Sequence, residues 1–134
     1  PDYSDKEPFY FARPGDSVSL SIPLATSGDK VQGIPWSVQY IVDASFSVAD
    51  GGFKADLRAG LRDSQGLDLV ESNSFTYARS NRSTASVVLK AANAQDARHL
   101  DIRLTGIDGN RIMPRNVSVR KVTCSQSVLD FDFD

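Results

Sequence analysis

WSVQYIVDASFSV, residues Trp36–Val48, decides the fold class of this 134-residue chain. Its even positions carry apolar or small side chains, whereas its odd positions are polar with the single exception of Ile41. Strict alternation with a period of two is typical of a β-strand that has one buried and one solvated face. The stretch is much longer than the usual strand of about five or six residues, so we expect a bulge or bend within it.

Shorter alternating segments lie on both sides of this stretch, and turn signals such as Asp50-Gly51-Gly52 and Asp108-Gly109 separate them. No segment has the spacing of a convincing amphipathic helix. The sequence therefore predicts an all-β chain of eight to ten short strands that form a two-sheet antiparallel β-sandwich (a jelly roll). The other predicted strands are Phe9–Ala12, Asp16–Leu24, Phe53–Leu61, Leu67–Val70, Ser74–Tyr77, Ala85–Ala91, Leu100–Thr105, Arg111–Val122 with a break at Pro114, and Val128–Asp134.

Length and composition predict one domain with a hydrophobic core, since 40% of the residues are apolar and 24% are charged. Residues 1–8 are predicted as an N-terminal arm or linker, and residues 9–134 as a single β-sandwich domain. No apolar run approaches the roughly 18 residues that span a bilayer, so no membrane partner is expected. Because the chain lacks an initiator Met and a signal-like stretch, we interpret it as a processed protein or an excised domain. The single cysteine, Cys124, excludes an internal disulfide and is predicted to be a partly buried small hydrophobic residue.

Charge is distributed unevenly, although the net charge is only −2. Residues 53–123 carry twelve basic and seven acidic side chains, and ten of the fifteen basic residues of the chain are arginine. Arginine binds carboxylates and phosphates through two parallel hydrogen bonds, so this segment could favour an anionic partner. The alternative is a solvated surface of mixed charge. Nucleic acid is not expected as a partner, because the chain as a whole is acidic.

The sequence carries no motif of a known catalytic site: no GxSxG, HExxH, Walker loop or CxxC. Its single histidine, His99, is predicted to lie in a connection over Asn93–His99. The acidic residues of the FDFD terminus are interpreted as a solubilising tail or an edge strand. We therefore expect a protein that is not an enzyme.

The region from about Ser17 to Val122 resembles the galactose-binding-like jelly-roll carbohydrate-binding modules. The segments that carry the resemblance are DSVSLSIPL, WSVQYIVDAS, FKADLRAGLRDSQG, SVVLKAANAQDARHLDIRLTG and the closing NVSVRKV. The resemblance implies a non-catalytic module that recognises a polysaccharide or oligosaccharide, including acidic ones, on a strand face. It also implies an extracellular, cell-surface or virion location.

Such modules often hold a structural calcium ion through an acidic residue just before the closing strand. This chain has Pro114-Arg115-Asn116 there. Arginine is a poor neighbour for a hard cation, so no cofactor is predicted, although Asn116 could contribute one oxygen ligand.

The predicted ligand-binding residues are planar polar side chains on the solvated faces of the long strands, together with one aromatic ring. Trp36 and Tyr40 share the apolar parity of their strand and are predicted as core residues. The predicted site consists of Gln39, Asp56, Arg58, Tyr77, Asp101 and Arg103.

A structural or assembly module of a virion, tail appendage or surface filament is the alternative. The proline-flanked arm and the FDFD tail motivate it, because extended termini commonly add a strand to a neighbouring chain. Other protein chains, bound through the termini, are the partners that this alternative predicts.

Overall fold

A computed structural model of the chain describes residues 10–24, 37–48, 52–78, 82–92, 96–108, 110–122 and 126–132. These residues form nine β-strands and no α-helix. No helix in this part of the chain is therefore long and apolar enough to cross a membrane. The strands are β1 (Tyr10–Ala12), β2 (Ser17–Pro23), β3 (Ser37–Val48), β4 (Phe53–Asp63), β5 (Asp68–Ala78), β6 (Arg82–Ala92), β7 (Ala97–Gly106), β8 (Asn110–Val122) and β9 (Gln126–Asp132).

The strands pair as nested antiparallel partners, β4 with β5, β3 with β6, β2 with β7 and β1 with β8. This ribbon folds into a four-stranded sheet in the order β2-β7-β4-β5 and a five-stranded sheet in the order β1-β8-β3-β6, in which β9 also pairs with β8. Eight nested strands that roll into two facing sheets form a jelly roll. The predicted all-β antiparallel sandwich of eight to ten strands is confirmed.

The core lies between the sheets and consists of the alternating apolar positions of the strands. In β3, the even-numbered side chains from Val38 to Val48 are all buried, including the predicted core residue Tyr40. The rings of Phe46 on β3 and Phe53 on β4 meet edge to face with 5.7 Å between their centroids. Burying one large apolar side chain contributes roughly 1.5–3 kcal/mol, so the burial of these two rings stabilises the packing of one sheet against the other.

The expected irregularity lies in β8, beside the long central strand, rather than within β3 itself, which pairs with β6 without interruption from Ser37 to Ser47. Ser45 pairs with Asn116 and Phe46 pairs with Pro114, so Arg115 is an extra residue in β8. The predicted break at Pro114 is wrong, because β8 continues through it. On the side of β8 that faces away from β3, β1 pairs only with residues 110–112 and β9 only with residues 116–122. No backbone N–H is needed between these ranges, so a proline at position 114 is tolerated.

Two other predictions of local structure are wrong. His99 lies within β7, opposite Arg62 of β4, rather than in a connection. The segments predicted as two weak strands around residues 67–77 form the single strand β5. Residues 1–8, Trp36 and Cys124 lie outside the described residues, so the predictions about the arm, the indole ring and the thiol stay predictions.

Candidate functional site

The outward face of the four-stranded sheet, here called the polar face, gathers charged and hydroxyl side chains. Inward positions of β4 and β7 are fully buried, as Leu57 and Ile102 illustrate, so the alternate positions must point to solvent. The strand register then places these side chains in parallel rows. One row contains Ser19, Arg103, Arg58 and Asn73, and the next contains Ser21, Asp101, Gly60 and Glu71.

Five of the six predicted site residues share the polar face, and four of them lie on its two central strands. Asp56 and Arg58 project from β4, and Asp101 and Arg103 from the adjacent strand β7. Gln39 does not join them, because it lies on β3 in the five-stranded sheet. The sequence could not show this, since parity alone does not say which sheet a strand enters.

Gly60 creates a cleft in the middle of the polar face, here called the Gly60 cleft. The cleft has a volume of about 560 Å³, which is within the range of small-molecule binding sites. A Cβ at Gly60 would lie 3.3 Å from the carbonyl oxygen of Val70. Gly60 lies within a strand and not in a turn, and its neighbours in the same row carry larger side chains. The absence of a side chain at Gly60 leaves this space open. The side chains that surround it are Ser19, Ser21, Arg58, Glu71, Asp101 and Arg103, and Asp68 also lines the cleft.

One wall of the cleft is a fixed hydrogen-bond network around Asp101. Arg62 Nε donates to Asp101 Oδ2 at 2.8 Å, and Arg62 Nη2 donates to Asp101 Oδ1 at 3.2 Å. The hydroxyl of Ser21 donates to the same Oδ1 at 2.7 Å. The hydrogen bond from Arg62 is the main cause that lowers the pKa of Asp101, and the same pairing raises the pKa of Arg62. Asp101 therefore presents an ionised carboxylate of defined orientation.

The opposite wall contains a second ion-pair cluster, which is more exposed. Arg58 lies 3.3 Å from Glu71 and 3.5 Å from Asp56, measured between guanidinium nitrogens and carboxylate oxygens. The side-chain amide of Asn73 donates to Asp56 at 2.8 Å. Planar donors and acceptors thus alternate along this wall, an arrangement that suits the paired hydroxyls of a sugar.

Two exposed aromatic rings border the polar face on the edge strand β5. Tyr77, the predicted ring, is 51% exposed and lies over Gly52, where a side chain would overlap it. Phe75 is 71% exposed and pairs in register with Asp56. Phe75 was not among the predicted site residues, although the alternation of SFTY places it on the same face as Tyr77.

The five-stranded sheet offers no comparable site where the resemblance implies calcium. The side-chain amide of Asn116 donates to the carbonyl of Phe131 at 2.9 Å and to Asp132 at 3.2 Å, both on β9. Among the described residues, no group of three or more His, Cys, Asp or Glu side chains is arranged to hold a metal ion.

Comparison of the chain with protein-family models, with curated proteins and with solved structures found no match. The choice of a site therefore depends on the geometry of the polar face.

Proposed function

We propose that this protein is a non-catalytic carbohydrate-binding module whose binding surface is the polar face. The observation that supports this most is the Gly60 cleft, which interrupts a face of planar polar side chains and is lined by three of the predicted residues, Arg58, Asp101 and Arg103. Sugar hydroxyls need paired donors and acceptors at fixed positions. Asp101 is held in place by Arg62 and Ser21, so it could accept hydroxyl hydrogen bonds without prior reordering.

The exposed ring of Phe75 fits the same proposal. It lies two residues along β5 from Asn73, which is about 7 Å at the usual strand rise, and it lies next to the row of Arg58. An aromatic face beside polar groups can support the apolar face of a sugar ring. Tyr77 follows on the same side of β5, so an extended saccharide could contact both rings.

A glycan array with purified protein tests this proposal. We expect the wild type to bind a defined set of glycans. Gly60→Val, which fills the cleft, and Arg58→Ala/Arg103→Ala, which removes two of the side chains that line it, are each expected to weaken binding by at least tenfold. Gly60 does not have a positive φ, so valine can adopt its backbone conformation once the Val70 carbonyl has moved by a few tenths of an ångström.

Thr84→Val is the control, because it places the same apolar side chain at an exposed position of the other sheet. It is expected to bind like the wild type. A blank array from folded wild-type protein would contradict the proposal. Binding that survives Gly60→Val would place the sugar elsewhere on the molecule.

Self-association is a second candidate function, and one observation favours it. Strand β5 and its preceding turn expose the apolar side chains of Leu67, Leu69, Phe75 and Tyr77. Exposed apolar surface on one strand is typical of a contact with another protein, and a second copy of the chain is the partner we consider. In this reading the module assembles a virion, a tail appendage or a surface filament.

A further inference from the structure

Arg103 differs from the other two arginines around the cleft. Arg62 is paired with Asp101, and Arg58 with Glu71 and Asp56. Within the described part of the chain, no carboxylate oxygen lies within 4.0 Å of the Arg103 guanidinium. Its Nε donates to the hydroxyl of Ser19 at 3.4 Å, which is a long hydrogen bond. The exposed guanidinium of Arg103 therefore keeps donors available for a ligand.

Arg103 also stands directly opposite Arg58 in the register of β7 and β4. Side chains at opposite positions of antiparallel strands lie about 5 Å apart at Cβ, and like charges there repel. An anionic group bound between the two guanidinium groups would remove this repulsion. The register of β4 and β7 thus places two cations together at one end of the Gly60 cleft.

The other end of the cleft contains the carboxylate of Asp68. Asp68 pairs in register with Arg62, four residues along β4 from Arg58, or about 13 Å at the usual strand rise. Between the two ends, both oxygens of Asp101 accept hydrogen bonds from Arg62 or Ser21. The two ends of the cleft therefore offer different groups to a ligand. At one end Arg103 has donors that no carboxylate among the described residues occupies, and toward the other end lie the carboxylate oxygens of Asp101 and Asp68.

We propose that the Gly60 cleft selects sugars that carry a carboxylate, with this carboxylate bound by Arg103 and the neighbouring hydroxyls directed toward Asp101 and Asp68. The inference rests on the proposed carbohydrate-binding function. The flat fork of a guanidinium matches the flat carboxylate through two parallel hydrogen bonds. A uronic acid unit presents this group beside the hydroxyls of its own ring.

Isothermal titration calorimetry with the full chain tests this inference. The probes are tetrasaccharides of galacturonate and of mannuronate, each compared with the same tetrasaccharide after reduction of its carboxyl groups to neutral hexose. A sulfated neutral tetrasaccharide is the third probe. We expect at least one acidic tetrasaccharide to bind about tenfold or more tightly than its reduced form, and tighter than the sulfated probe.

Arg103 variants assign the preference to one residue. Arg103→Gln is expected to bind the acidic and reduced forms equally, and Arg103→Lys to recover part of the preference, since lysine keeps the charge without the planar fork. Arg120→Gln, on β8 of the other sheet, is the matched control and should bind like the wild type. The substitutions at Arg103 and Arg120 all leave the core untouched, and thermal unfolding measurements check this.

Three results would overturn the inference, and they are distinguishable. Equal binding of the acidic and reduced forms to the wild type would refute the carboxylate preference and leave carbohydrate binding intact. Tighter binding of the sulfated probe would show that the site selects a sulfate. Absence of binding to any of these sugars, with a blank glycan array from folded protein, would refute the proposed function together with the inference.

Discussion

Asp101 is oriented by side chains from two other strands. It projects from β7, Arg62 reaches it from β4, and Ser21 reaches it from β2. These residues are 39 and 80 positions away from Asp101 in the sequence. Asp101 was predicted as a site residue because it occupies a solvent-facing position of an alternating strand. Its partner Arg62, which orients it, could not be identified without the register.

Replacing Asp101 by asparagine tests the contribution of this network to stability. Asp101→Asn removes the charge that pairs with Arg62, and we expect the free energy of unfolding to fall by about 1 kcal/mol or less at pH 7. The value is small because the two side chains are 32% and 40% exposed. Urea denaturation at pH 7 measures it.

The same variant makes a pH prediction with a defined sign. The folded state lowers the pKa of Asp101 below its ordinary 3.8, so its stabilising effect is fully present above the unfolded pKa. This effect is lost as the pH falls through the folded pKa. Wild type and Asp101→Asn should therefore differ in stability at pH 7, and this difference should shrink as the pH falls through the folded pKa of Asp101. Asp130→Asn, at an exposed position of β9, is the control, and a difference that persists unchanged at low pH would contradict the assignment.

At the scale of single elements, the bulge in β8 gives Arg115 a structural role. The extra residue lies between Pro114 and Asn116, and its Nε donates to the hydroxyl of Ser47 at 2.8 Å. Ser47 is only 8% exposed and is the single buried polar residue recorded among the described residues. Because a buried hydroxyl needs a partner, the bulge and the hydrogen bond support each other.

Arg115→Ala is expected to lower the free energy of unfolding by about 1–2 kcal/mol, because it leaves the Ser47 hydroxyl buried without this donor. Ser47→Ala removes the hydroxyl as well, so the double variant should lose less stability than the sum of the two single variants. A double-mutant cycle by urea denaturation measures this coupling. Strictly additive losses would show that the hydrogen bond contributes nothing of its own.

Strand β9 contains most of the C-terminal tail and pairs with β8 of the same chain. The pairing with β8 runs from Asp132, opposite Asn116, to Gln126, opposite Val122. Phe131 and Asp132, the first two residues of the FDFD motif, therefore belong to the five-stranded sheet of their own molecule. Trimming residues 125–134 would therefore remove a strand. The loss of an oligomer after such trimming would not by itself identify the tail as the contact.

At the scale of the whole molecule, the two candidate functions differ in the state of the protein in solution. Carbohydrate binding on the polar face requires only a monomer. Assembly through β5 requires an oligomer that depends on exposed apolar side chains such as Phe75, which is 71% exposed. The position of Phe75 on an exposed face allows its replacement without disturbing the core.

Light scattering coupled to size exclusion separates these candidates, with Phe75→Ser as the variant and Thr84→Ser as the control. If the polar face binds sugars, we expect the wild type to be monomeric, and Phe75→Ser to remain folded and monomeric while its affinity for the sugar falls several-fold. A wild-type oligomer that Phe75→Ser dissociates, together with unchanged sugar binding, would favour assembly instead.

The sequence by itself determined the fold class and the faces of the strands. Alternation in Trp36–Val48 and Phe53–Leu61 predicted which side chains are buried, because a strand turns every second residue to the same side whatever its neighbours are. Length alone also predicted a bulge within the central strand, but the bulge lies in its neighbour β8. The sequence did not predict the strand at His99 or the continuity of β8 through Pro114. Both depend on pairing partners that a single strand does not reveal.

Tertiary structure alone decided which solvated faces meet. Nesting of the strands placed β4 and β7 side by side, so Arg58 and Arg103 became neighbours across 45 residues, while Gln39 went to the other sheet. It also turned Gly60, one small residue in an alternating strand, into the floor of a cleft. The physical reason is that the period of a strand defines its two faces, whereas the order of strands in a sheet arises from long-range pairing and from burial of the common core.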